Sequence, residues 1–195
     1  MTDEDDVNVL NFTARVISNF SGDKVRKFVV SFYLMDHTLS IYEMAVTNSG
    51  FRPGKFLQRT RVRNALTKRF FQESDFYVGA RIGVSGRIFE LQDAATHTLC
   101  LMEADADNFP EANIEHVIRE LKSACLKMAD KIDIRALFES KDTDKTGLVP
   151  VSDAKEIFSM FLPNITKHAI ITLTRSFERD QGQYEYSYLI QNMNI

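Results

Sequence analysis

The twelve residues from Asp142 to Asp153, DTDKTGLVPVSD, set oxygen-bearing side chains at alternate positions around a glycine. A hard divalent cation needs oxygen from several directions around a tight loop, and a twelve-residue loop supplies it from positions 1, 3, 5, 7, 9 and 12. Those places fall to Asp142, Asp144, Thr146, the carbonyl of Leu148, Pro150 and Asp153. Gly147 stands at position 6, where the chain must turn sharply. Asp153 is one methylene shorter than the Glu that closes such loops with both oxygens, which favours a single contact, the smaller Mg²⁺ or weak binding. Thr146 offers a hydroxyl in place of a carboxylate, and Pro150 no side-chain oxygen. Two readings stay open: a weak site for Ca²⁺ or Mg²⁺, or a purely structural turn.

A second constellation is cationic. From residue 48 to residue 71 the chain reads NSGFRPGKFLQRTRVRNALTKRFF, with Arg52, Lys55, Arg59, Arg61, Arg63, Lys68 and Arg69 and no acid between Glu43 and Glu73, although the whole chain carries a formal net charge of −3. A phosphate loop is excluded. Only three residues separate Gly50 from Gly54, Phe56 stands where a hydroxyl should hold Mg²⁺, and Pro53 removes a backbone donor. The alternation of KFLQRTRVR predicts a strand with Arg59, Arg61 and Arg63 on one face and Phe56, Thr60 and Val62 on the other. Such a strand is either a solvated edge guarded by charge or a contact for an acidic partner: nucleic acid, anionic lipid or an acidic protein surface such as tubulin. The exposed face lacks interleaved aromatic rings, which weakens the single-stranded nucleic-acid reading.

Reaction chemistry finds no support. No nucleophile, acid–base pair or transition-metal cluster can be assembled from recognisable spacing, so the expectation is that the protein is not an enzyme. His37, His97, His116 and His168 are scattered and read as surface or partly buried residues. Cys100 and Cys125 match no zinc or redox spacing and are expected as reduced, buried thiols. With 195 residues, 44% hydrophobic and 26% charged, the composition is that of an ordinary globular protein of one large or two small domains. No apolar run approaches bilayer length, and the N-terminus MTDEDDVN is acidic where a targeting signal is basic, so the cytosol or a cytoplasmic structure is the expected place.

The elements that must position these residues change character near Asp105. Residues 7–104 read as antiparallel β structure, a sandwich or small barrel. Its strands are VNVLNFTARVIS, KFVVSFYLMD, TLSIYEMAV with Leu39, Ile41 and Glu43 facing one way, and the pair in FYVGARIGVSGRIFELQD that turns at Ser85-Gly86. THTLCLME is expected as the last strand. Residues 105–130 read as a connecting helix, with Asn108 as its cap and Pro110 in its first turn. Residues 131–195 read as helices around two loops, so the fold class is α+β.

The loop from Asp142 to Asp153, flanked by DIRALFESK and SDAKEIFSMFL, resembles an EF-hand. EF-hands come in pairs, and SFERDQGQYEYSYLI fits the second place with a degenerate loop expected to be metal-free, in which Tyr184 would pair with Val149. In the β region, NSGFRPGKFLQR, RKFVVSFYLMDHTLSIYE, DFYVGARIGVSGRIFELQDA and THTLCLME, in the order of the family, resemble the DM-ten domain of ciliary proteins. DM-ten proteins with a C-terminal EF-hand pair are the EF-hand-containing and protofilament-ribbon proteins of axonemes. The resemblance implies a pleckstrin-homology-like β domain and a microtubule inner protein on the luminal wall of ciliary and flagellar doublets. Tubulin and other inner proteins are then the expected partners, and neither nucleic acid nor membrane. Arg52, Lys55, Arg59, Arg61, Arg63, Lys68 and Arg69 are the candidate contacts. A calcium-responsive regulator and an anionic-lipid-binding module are the alternatives.

Overall fold

A computed structural model describes residues 8–128 and 132–193 of the protein. The acidic N-terminus and the expected helix end at residue 130 lie outside them. The chain divides into two compact units, residues 1–109 and 110–195.

The first unit is built on one antiparallel sheet of six strands in the order β4-β3-β2-β1-β6-β5. The strands are β1 (Val9–Ile17), β2 (Phe28–Tyr33), β3 (Thr38–Glu43), β4 (Gly54–Thr60), β5 (Arg81–Val84) and β6 (Arg87–Ala94). Period-two alternation places Leu10, Phe12, Ala14 and Val16 of β1, and Phe28, Val30 and Phe32 of β2, on the buried face. Leu39, Ile41 and Glu43 are all buried on β3, as the alternation requires. The sheet curls strongly. Phe56 on β4 touches Phe89 on β6 at 5.2 Å between ring centroids, although three strands lie between them in the sheet, and both rings meet Phe28. Register shifts within β1/β6 and β3/β4 accompany this bend. The result is an open half-barrel, neither a closed barrel nor a two-sheet sandwich, because no strand pairing joins β4 to β5 among the described residues.

One strand expectation fails. THTLCLME forms the helix α1 (Thr96–Ala104) and does not extend the sheet. Its buried residues are Thr98, Leu99 and Met102, one helical face, while Cys100 is exposed and only Cys125 is buried. The alternation of Leu99 and Leu101 suggested a strand, but Thr98 docks the segment on β1: its hydroxyl accepts the Asn11 N–H at 2.8 Å and donates to the Asn11 carbonyl.

A buried ion cluster closes one end of the sheet. The Arg26 guanidinium makes two parallel 2.7 Å hydrogen bonds to Glu43, a 2.8 Å bond to Asp23, and stacks 4.3 Å from the Phe51 ring centroid. Hydrogen bonds from Arg26, then from Ser18, hold the Asp23 carboxyl below its ordinary value despite its burial. The two buried carboxylates share the Arg26 cation, and Arg87 adds a longer 3.3 Å contact to Asp23, so the set is stable only when complete.

The second unit is helical. Its elements are α2 (Ile114–Met128), α3 (Ile134–Lys141), α4 (Val151–Ser159), α5 (Lys167–Ser176) and α6 (Tyr186–Met193), with short strands β7 (Leu148–Pro150), β8 (Glu178–Arg179) and β9 (Gln183–Glu185) in the order β7-β9-β8. Val149 pairs with Tyr184, as the loop spacing predicts. Phe138, Phe158, Phe161, Leu173 and Tyr184 are fully buried in its core. The α2 cap differs from expectation: Asn113 accepts the His116 N–H at 3.1 Å, whereas Asn108 bonds Asp105 and Pro110 opens a short 3₁₀ turn. Asp133 and Thr166 cap α3 and α5 through their side chains. His168 is fully buried, beyond the partial burial expected of it.

Two outcomes follow from these polar contacts. Arg26→Ala leaves Glu43 buried without its cation and Asp23 with only the 3.3 Å cationic contact of Arg87, and should lower stability by about 3–5 kcal/mol in urea unfolding, and Arg26→Lys should recover little, because an ammonium cannot make the parallel pair. Glu111 bonds the Thr166 hydroxyl, and desolvation raises its carboxyl above the ordinary 4.5, with Glu120 adding to the rise and Thr166 and His116 opposing it. A raised acid binds its proton more tightly in the folded chain, so that stability is full at low pH and declines as pH rises from the ordinary carboxylate value through the raised one. Unfolding measured across that range should show Glu111→Gln abolishing that decline.

Candidate functional site

The acidic loop joins α3 to α4, and its geometry is set by one carboxylate. Asp142 lies at the C-terminus of α3, only 6% exposed. Its Oδ1 accepts the Thr146 N–H at 3.1 Å and the Thr146 hydroxyl at 3.2 Å, while Oδ2 accepts the Gly147 N–H at 2.8 Å and the Tyr186 hydroxyl at 2.9 Å. A carboxylate has about four lone-pair positions, and protein donors fill them. Burial pushes the Asp142 carboxyl up, but the N–H groups of Gly147 and Thr146 and the Tyr186 hydroxyl outweigh it and hold the group below its ordinary value. The Tyr186 hydroxyl is pushed up to about 12 by burial and by this bond.

Of the remaining ligand candidates, Thr146 alone is bonded to Asp142 among the described residues. Asp144 and Thr146 are exposed, Leu148 is half-buried in β7, and Asp153 lies in the first turn of α4. Among the described residues no three His, Cys, Asp or Glu side chains converge as a metal site. A cleft of about 420 Å³ opens beside the loop, lined by Glu139, Asp142, Lys145, Gly147 and Tyr186. As folded, the donor set does not fit a cation: a metal at Asp142 would have to displace protein donors. In the second loop Gln181 and Gly182 turn in the left-handed region, Arg179 pairs with Glu185, and Tyr188 is half exposed.

Gly147 has a requirement of its own. Its φ is +79°, and an added Cβ would stand 3.0 Å from the Ser187 side chain on α6. Gly147→Ala should therefore lower thermal stability by at least the ~1–2 kcal/mol of a left-handed non-glycine residue, read by calorimetry.

The cationic segment is redistributed by the fold. β4 ends at Thr60, short of Arg63, so Arg59, Arg61 and Arg63 do not share one strand face. Arg59 is held by Asp36 at 2.9 Å and by the Thr38 hydroxyl, and its guanidinium lies 3.7 Å from the Tyr33 ring centroid. Arg69 bonds Asp75 at 2.6 Å and Gln72 at 2.8 Å. Arg61 and Arg63 lie 4.8 and 4.7 Å from the centroid of one half-exposed ring, Phe70. An aromatic residue is therefore present among the cations after all, but two guanidinium groups already occupy it. None of Arg52, Lys55, Arg61, Arg63 and Lys68 pairs with a carboxylate among the described residues.

This segment is anchored at both ends. Phe51 rests on Arg26, and buried Asn64 accepts the Gly83 N–H at 3.1 Å while the Ala65 N–H bonds the Gly83 carbonyl at 2.8 Å. The turn after Arg63 thereby covers the outer edge of β5. Gly83 lets the turn approach closely there: a Cβ would stand 3.0 Å from that of Ala65, so that the turn would have to give by a few tenths of an ångström. Sequence reasoning missed Tyr186, Phe70, Asp36 and Tyr33, whose roles rest on contacts across the fold.

Residues 2–98, about half of the chain, match the model of the DM10 domain. The chain is 32% identical to the EF-hand domain-containing family member C2 of Danio rerio over 177 residues, which cover 87% of this chain and 23% of that protein. The Bos taurus protein of the same name is 33% identical over 178 residues, 87% of this chain and 24% of the relative. EF-hand domain-containing protein 1 of Mus musculus is 38% identical over 112 residues, 55% of this chain and 17% of that one. The chain thus spans about a quarter or less of the length of these relatives.

Proposed function

Because the chain belongs to the DM10-domain family and its relatives are named for EF-hands, we propose that it is a structural microtubule inner protein of ciliary and flagellar doublets. On this reading the half-barrel is a pleckstrin-homology-like domain, and the two helix–loop–helix segments are an EF-hand pair. The protein docks on the luminal tubulin wall of the axoneme and ties neighbouring inner proteins to it, by complementarity of shape and charge and without reaction chemistry. One observation carries the reading. Arg52, Lys55, Arg61, Arg63 and Lys68 pair with no carboxylate among the described residues of a chain of net charge −3, and positive charge left open in this way is available to an acidic surface. The rival class, a calcium-responsive regulator, needs Asp142 to exchange its donors for a cation, and the saturated carboxylate does not favour it.

Co-sedimentation of the full chain with microtubules tests the proposal. Wild-type protein should pellet with them, with binding that weakens as salt rises. Arg61→Glu with Arg63→Glu should weaken binding by roughly tenfold, the size expected of a central contact, while Lys24→Glu, an exposed lysine on another element, should not. Equal pelleting of wild-type protein with and without microtubules overturns the reading, and capture by anionic vesicles instead would move the role to lipid.

A further inference from the structure

We propose that the loop between α3 and α4 is closed by the Tyr186 hydroxyl of α6 in the role of a cation, as a metal-independent clasp joining the two helix–loop–helix segments. The inference stands on the second unit alone and does not rest on the microtubule reading.

The geometry has three parts. First, the carboxylate that opens the loop is neutralised from both sides by donors at 2.8–3.2 Å: two backbone N–H groups and one hydroxyl from its own loop, and one hydroxyl from α6. Oxygen-rich loops of this spacing ordinarily need a cation to offset their acids; here four neutral donors offset the only buried one, while Asp144 points its charge to solvent. Second, the Tyr186 ring is fixed in place. It stacks on Phe138, one turn before Asp142, at 5.1 Å and 2° between planes, and Phe138 is fully buried. The hydroxyl is thus aimed by a rigid ring and loses little rotamer freedom when it bonds Oδ2. Third, the helix that carries Tyr186 closes on the same loop again: the Ser187 N–H bonds the Gly147 carbonyl at 3.4 Å, and Gly147 leaves no room for a Cβ between them.

A phenol in this position does what a metal does elsewhere, holding the loop's first carboxylate and the next segment together, but without needing an ion in solution. The loop should therefore be as ordered without metal as with it. The Ser187–Gly147 bond, at 3.4 Å, is weak, and the β7/β9 pairing begins only at Leu148, so neither holds the Asp142 end of the loop.

Hydrogen exchange of the Thr146 and Gly147 amides in the full-length chain tests this, because both donate to Asp142. In wild-type protein with EDTA both amides should be protected, and adding Ca²⁺ or Mg²⁺ should change their exchange by less than about twofold. Tyr186→Phe keeps the stacked ring and removes one oxygen, and should speed exchange of both amides by roughly tenfold with the far-ultraviolet circular dichroism unchanged. If the wild-type amides exchange freely in EDTA and become protected only when metal is added, the clasp is overturned. Identical exchange in Tyr186→Phe and wild type, both in EDTA, overturns it equally, and the metal arm on wild-type protein decides the matter even where the variant fails to fold.

Discussion

The contact on which the β unit depends is the meeting of Phe56 with Phe89. An open sheet has two edges and two faces, and a single flat layer of six strands cannot enclose its own apolar side. Bringing a ring from the first strand of the sheet against a ring from the fifth folds the layer over its core, and Phe28 completes the triangle. The bulges in β3/β4 follow from the same need, since a regular ladder would carry β4 straight on. Once β4 is bent inward, the cations that follow it must run along the outside of the half-barrel, where the Asn64 turn fastens them to β5.

The two units satisfy buried charge in different ways. In the β unit Arg26 answers Asp23 and Glu43 with an opposite charge and a planar fork. In the helical unit Asp142 is answered by dipoles, two backbone amides and two hydroxyls. Either solution offsets the desolvation penalty, but they differ in reach. The guanidinium ties a turn to a strand end and seats Phe51, so it fixes where the cationic segment begins. The hydroxyl of Tyr186 ties a loop to a helix far along the sequence, beside the β7/β9 pairing that also joins the two segments.

The cationic segment itself divides by use. Arg59 and Arg69 are consumed by the fold, in ion pairs with Asp36 and Asp75 that lie outside the acid-free stretch. Arg61 and Arg63 are steadied on Phe70 and meet no carboxylate among the described residues; a ring face attracts a guanidinium but carries no net charge. Arg52, Lys55 and Lys68 meet no carboxylate among the described residues. A run that reads as uniform in sequence thus contains structural, poised and open charges.

The sequence alone determined what depends on spacing along the chain: the alternation of β1 to β3, the Ser85-Gly86 hairpin, the turn glycine at Gly147, the pairing of Val149 with Tyr184 and the excess of cations between Glu43 and Glu73. It misjudged THTLCLME, because Leu99 and Leu101 satisfy a period of two as readily as Leu99 and Met102 satisfy a helical step, and only the docking of Thr98 on Asn11 separates the two. It placed the loop acids correctly in order but could not say what answers Asp142, because Tyr186 lies 44 residues away. Nor could it tell which arginines were already spent, since Asp36, Tyr33 and Phe70 become neighbours of the cationic segment only when the sheet is curled. Local periodicity is written in adjacent residues, whereas the neutralisation of a charge is settled by whatever the tertiary fold brings within about 3 Å of it.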